Sequence, residues 1–144
     1  MKRVTDWLLS RRKATHTGRA GDVGLLILRL WVGLMMAFAH GWGKLTTFGE
    51  RASQFPDPLG VGSTLSLGLV VFAEFFCALA IALGFITRGA VIPVIITMLV
   101  AAFVIHGDDP FGKKELALLF LAPLVAILFT GPGRYSVDRW LTRK

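Results

Sequence analysis

Cysteine is almost absent from this sequence, and its scarcity excludes several kinds of chemistry at once. A single thiol, Cys77, allows no disulfide framework, no C-x-x-C pair and no thiolate zinc cluster. A four-helix membrane disulfide oxidase that hands electrons to quinone needs paired cysteines and is excluded with them. Charge is sparse as well. Charged residues make up 17% of the 144 residues against 54% hydrophobic, and the mean hydropathy of +0.65 exceeds what water-soluble domains of this length carry. That balance argues against a soluble enzyme, and the length leaves room for one ordinary domain. Acidic residues are the scarcer sign, 9 against 16 basic, for a net charge of +7. In a soluble chain this excess would point to nucleic acid; in one this apolar it points to the anionic face of a lipid bilayer, with no nucleic-acid partner.

What the sequence has in abundance is apolar length. Four runs, about 23–44, 63–85, 88–106 and 114–131, are long enough to cross about 30 Å of hydrocarbon. They lack the polar face of a soluble core helix; the stretch 65–85 carries Glu74 as its one ionisable group besides the Cys77 thiol. Backbone amides in lipid must be satisfied within their own segment, so these runs are helices. The short connections at 84–89 and 106–112 are rich in turn formers and make consecutive helices antiparallel neighbours. The expected fold is therefore an all-α integral membrane protein: a four-transmembrane-helix antiparallel bundle over 22–131. A basic arm, 1–21, precedes it and a basic tail, 132–144, follows. The longer loop 46–62, with Phe48, Phe55 and Leu59, is expected at the membrane surface.

Eleven basic residues (Lys2, Arg3, Arg11, Arg12, Lys13, Arg19, Arg88, Arg134, Arg139, Arg143 and Lys144) fall on one side of this topology, against four on the other. The positive-inside rule then puts both termini in the cytoplasm, in the inner (plasma) membrane of a bacterium. The first run is too long for a secretory signal, contains Arg29 and lacks a small-residue cleavage site, so it is read as retained. Val4, Trp7 and Leu8, and again Val137, Trp140 and Leu141, have the i, i+3, i+4 spacing of short helices in the headgroup layer; for the N-terminal arm a disordered basic segment is an equal alternative.

Ionisable groups inside the spans carry the functional information, because each costs at least about 2.5–3.5 kcal/mol in hydrocarbon unless it finds a partner, water or a function. Arg29 lies about 10 Å from the cytoplasmic end of the first span and Glu74 about 15 Å from that of the second. Antiparallel neighbours at this offset can form a charge pair, though helical side chains lean toward their own N-termini and point these two apart; a bridging water or third residue is the alternative. Such a pair fixes helix register or takes part in a proton or quinone pathway.

At the outer end, His40, Lys44, His106 and Glu115 come to similar depth. Histidine titrates near neutral pH, so this group is a candidate ligand and proton site for a quinone head group, or else an interfacial polar cap. Two histidines without a third ligand make a poor metal site, and none is assigned. Cys77 reads as a packing residue, and Pro93 and Pro123 as helix kinks that open space between helices.

These residues come in an order that resembles the DoxX family of membrane proteins over roughly 22–141. Leu28-Arg29-Leu30 is followed by Ala39-His40-Gly41-Trp42-Gly43-Lys44; Ala73-Glu74 by Leu83-Gly84 and Thr87-Arg88; His106 by Lys114-Glu115-Leu116-Ala117-Leu118-Leu119. The ending Gly131-Pro132-Gly133-Arg134-Tyr135-Ser136-Val137-Asp138 resembles the family's G-P-G-x-x-S-x-D close and is the most specific piece. The resemblance implies a small redox-associated subunit near quinone, in sulfur or thiol chemistry or in oxidative-stress defence. The chain itself carries no flavin, haem or iron–sulfur motif, so no cofactor is assigned beyond quinone, and a membrane oxidoreductase subunit of this kind would not be active alone. A second reading is a non-enzymatic membrane anchor or assembly factor that recruits a soluble thiol or redox protein through the basic arm and tail. A third, a channel, requires a homo-oligomer, since four spans leave little room for a pore.

Overall fold

A computed structural model describes residues 18–142, and every regular element among the described residues is helical. In chain order these are α1 (Gly18–Thr46), α2 (Phe48–Arg51), α3 (Ser63–Leu83), α4 (Thr87–Ile105), α5 (Phe111–Thr130) and α6 (Val137–Leu141). The headgroup-layer helix expected around Val4, Trp7 and Leu8 lies outside the described residues. Helix α1 begins at Gly18, inside the stretch expected to be a separate arm, and Asp22 in its second turn is buried.

By length and composition α1, α3 and α4 can each cross a membrane. The four expected spans thus reduce to three on this criterion. Helix α5 is 20 residues long, but Lys113, Lys114 and Glu115 crowd its start and shorten its uninterrupted apolar run.

Helices α1 and α3 run antiparallel with small residues at their seam. Gly33 faces Ala78 and Ala82, and Gly41 faces Glu74 and Phe75, so numbering rises on one helix as it falls on the other. A methyl on Gly41 would lie 2.6 Å from the Glu74 carbonyl oxygen, so only glycine permits this approach. Helix α4 packs on α5 with the same antiparallel sense. Arg88 at its start donates from Nε to the Leu128 carbonyl (3.1 Å), and Lys114 at the start of α5 donates to Gly107 beyond the end of α4. Contacts of α3 with α4 and of α1 with α5 close the four long helices into a ring. Its interior is filled by Met36, Ala78, Ile81, Val94, Leu124 and Ile127.

The outer surface is as apolar as the inside: Trp31, Phe103, Leu119 and Phe129 are each at least 60% exposed. On a protein in water such a surface would drive aggregation, whereas hydrocarbon solvates it.

Three stretches leave the α-helical ladder for wider π turns: Met36–Gly41 in α1, Phe72–Cys77 in α3 and Ala101–Ile105 in α4. None contains a proline. Pro93 and Pro123, which the sequence suggests as kinks, sit in α-helical stretches instead, and the Thr97 hydroxyl bonds the Pro93 carbonyl at 3.0 Å.

Within the loop at 46–62, the Asp57 carboxylate accepts from the Val61 and Gly62 amides (3.0 and 2.7 Å) and from the Ser66 hydroxyl (2.7 Å), fixing the entry to α3. The Ser66 hydroxyl, then the Gly62 N–H, hold this carboxyl below the ordinary carboxylate range.

Candidate functional site

Polar side chains gather at the two ends of the ring. At the end where α3 turns into α4, Gly84 adopts φ +72° and Ile86 φ +45°, a turn that aims the amides of Ile86 and Thr87 away from the bundle's own carbonyls. Asp138, at the start of α6, fills that position. Its Oδ1 accepts from Ile86 N (2.7 Å), and its Oδ2 from Thr87 N and Thr87 Oγ1 (2.9 and 2.8 Å). Its own amide donates to the Gly84 carbonyl at 2.9 Å. The Gly84–Arg88 turn and the Gly131–Asp138 ending, which stand apart in the sequence, are two halves of one clasp.

Arg29 reaches into this clasp. Its side chain is fully buried, Nη2 donates to the Tyr135 carbonyl, and Nε and Nη1 have no hydrogen-bond partner among the described residues. The sequence leaves Arg29 and Glu74 open to pairing; they do not pair. Side chains on antiparallel helices lean toward opposite ends, so Arg29 turns to the tail and Glu74 to the far side.

At that opposite end Glu74, 5% exposed, takes the ammonium of Lys44, whose side chain is 23% exposed. The close approach at Gly41 brings the π turns of α1 and α3 face to face and sets the height at which the two side chains meet. His40, in the first π turn, is half-buried and stands edge-on to Phe120 of α5, ring centroids 5.5 Å apart. His106, which closes the third, bonds Asp109 through Nδ1 at 2.7 Å. The His106 hydrogen bond, helped by Lys113 and Lys114, lowers the Asp109 pKa. No hydrogen bond or ring contact joins the two histidines among the described residues, and Glu115 is exposed without an ion pair.

The expected outer cluster is thus a Lys44–Glu74 pair with His40 on the same helix, and a separate His106–Asp109 pair at the same end. Each of the three π turns holds or ends at one of the residues singled out by type, namely His40, Glu74 and His106. Wider turns of this kind recur at functional sites because they displace a side chain from the regular helical register. Sequence reasoning missed Asp109 and Phe120 as partners, and missed Asp138 as the acid of the clasp, although both motifs that build the clasp were visible.

The DoxX family profile matches residues 24–107. The chain is 34% identical over 129 residues to inner membrane protein YqjF of Escherichia coli, covering 85% of this chain and 95% of that protein. It is 30% identical over 148 residues to an uncharacterized membrane protein of Mycobacterium tuberculosis, covering 86% and 85%. An uncharacterized protein of Haemophilus influenzae is 25% identical over 129 residues, covering 84% and 85%. No solved structure matches. The apolar exterior, the helices of membrane-crossing length and the family match agree: this chain is a membrane protein and belongs to the DoxX family.

Proposed function

We propose that this protein is a small redox-associated subunit of a bacterial inner membrane that takes the head group of a quinone beside the Lys44–Glu74 pair of α1 and α3, on the side where His40 meets Phe120 of α5. In this reading α5 is the fourth span, both termini are cytoplasmic and this end faces outward. The eleven-to-four basic bias supports that orientation. The observation that carries the site is the Lys44–Glu74 pair, held within an apolar bundle with the carboxylate buried and the lysine side chain 23% exposed.

The chemistry of the residues fits such a ligand. A quinone carbonyl accepts from an ammonium or an imidazole N–H, a quinol hydroxyl donates to a carboxylate or a neutral imidazole, and an isoprenoid tail lies against apolar helix faces. Lys44, Glu74 and His40 supply both senses of hydrogen bond, and Phe120 supplies a flat wall. His106 and Asp109 stand at the same end as a further proton-handling pair. Electrons enter or leave through a redox partner outside this chain.

The alternative is a non-enzymatic anchor that recruits a soluble thiol or redox protein through its basic cytoplasmic segments. Native mass spectrometry of the gently extracted protein separates the two. A co-purifying quinone that is lost on Lys44→Met and reduced on His40→Ala is the expected result. A stoichiometric protein partner with no small molecule, unaffected by either substitution, would establish the anchor instead.

A further inference from the structure

Charge at the clasp end is sorted by sign. Among the described residues both carboxylates there are buried, Asp22 at 8% and Asp138 at 4% exposure, and both are engaged by main-chain donors; Asp22 accepts from Arg134 N at 3.0 Å. The side chains of Arg19 and Arg134 are exposed and that of Arg139 is half-buried, and none forms an ion pair among the described residues. Among the described residues, the charge presented outward at this end is therefore positive. In the same segment stand Trp140, 70% exposed, with Leu141 and Tyr135, and at the ends of α3 and α5 on this side Leu83, Phe85 and Phe129 are exposed as well. The segment is not a loose tail. Asp138 pins it to the α3–α4 turn, Arg29 holds the Tyr135 carbonyl, and the Ser136 hydroxyl caps α6 at Arg139 N (3.2 Å).

We propose that residues 134–141, together with Arg19, form a fixed plate that binds anionic phospholipid headgroups. Trp140 and Leu141 enter the boundary between headgroups and acyl chains, while Arg134 and Arg139 hold lipid phosphates. A lipid surface fits better than a soluble acidic protein because exposed aromatic and aliphatic groups stand among the guanidiniums, and a purely acidic partner would leave them in water. Tryptophan and tyrosine also favour that boundary, where one edge is apolar and the other wet. This inference rests on the bundle spanning a bilayer with this end at its surface.

The test uses the full chain in mild detergent, incubated with equimolar phosphatidylglycerol and phosphatidylcholine of matched chains, with bound lipid counted by native mass spectrometry. Wild type retains phosphatidylglycerol preferentially, by about fivefold for each guanidinium in contact. Arg134→Gln with Arg139→Gln removes most of that preference, and Trp140→Ser weakens retention of both lipids while leaving their ratio. No preference in the wild type, or an unchanged ratio in the double variant, overturns the proposal. So does displacement of phosphatidylglycerol by sodium phosphate beyond that by sodium chloride of equal ionic strength, which would make this a free-anion site. Carbonate extraction of membranes run in parallel separates the two failures: a chain that stays in the pellet keeps the spanning assignment whether or not the lipid preference is found.

Discussion

Where α3 turns into α4, a guanidinium and a carboxylate are both buried and answer almost entirely to main chain: Arg29 to the Tyr135 carbonyl, Asp138 to the Ile86 and Thr87 amides with the Thr87 hydroxyl. At the other end Lys44 meets Glu74 side chain to side chain, with the ammonium partly in solvent. Main-chain partners are fixed by the fold, so the first arrangement has one geometry and holds helices together. The second arrangement joins a buried carboxylate to an ammonium on a flexible four-carbon stem, so its geometry is set by side-chain rotamers as well as by the fold. Burial of charge is thus met in two ways in one bundle, by main chain at one end and by a side chain at the other.

The contrast breaks most severely at Asp138. Asp138→Ala strands two buried amides and a hydroxyl, for an expected loss of about 3–5 kcal/mol in detergent unfolding. A loss below about 1 kcal/mol would show that the clasp is ornamental and that the two ends do not differ in kind. Gly41→Ala probes the opposite end. The added methyl has no space against the Glu74 backbone, so stability should fall by about 1–3 kcal/mol, and Lys44 and Glu74 should lose their coupling in a double-mutant cycle on the Gly41→Ala background. Coupling that survives would mean the meeting of the π turns does not set the pair's height.

The smallest effect expected is one of pH, in the loop at 46–62. Asp57 titrates below its unfolded value, so its contribution is present above the ordinary carboxylate pKa of about 3.9 and is lost as pH falls through the folded value. Hydrogen exchange at Ser66 N, which bonds the Gly62 carbonyl, should accelerate below about pH 4 beyond the intrinsic rate in the wild type. In Asp57→Asn that protection should be weaker above about pH 4 and should lack the acid-dependent fall. Identical profiles for the two proteins would remove Asp57 from the account of how α3 begins.

The long helices were legible because lipid imposes a crude rule, a length of apolar residues, and the sequence obeys it in 63–85 and 88–106 with errors of two residues or fewer at each end. Helix α5 was legible as a helix, but Lys113, Lys114 and Glu115 leave its membrane crossing a matter of how those side chains snorkel. Three residues singled out by type, His40, Glu74 and His106, fall in or at the π turns, which no residue pattern in the sequence marks. Partnership was not legible. Whether Glu74 meets Arg29 or Lys44 turns on the lean of side chains and on a glycine contact between helices, which depth along an ideal helix does not encode. The clasp was hidden for a different reason. Its two motifs sit 51 residues apart at Thr87 and Asp138, and each reads locally as an ordinary turn.

Arg29 and Tyr135 are 106 residues apart in the chain. At a synthesis rate of about 5–20 residues per second, the first long helix leaves the ribosome about 5–20 seconds before the carbonyl that receives its guanidinium exists. During that interval the Tyr135 carbonyl is not there to receive it, and a long arginine side chain can reach water or headgroups in its place. The contact that ties α1 to the tail can therefore form only after the segment beyond α5 has been made. A ribosome stalled before Tyr135 would leave its fault at the opposite end of the chain.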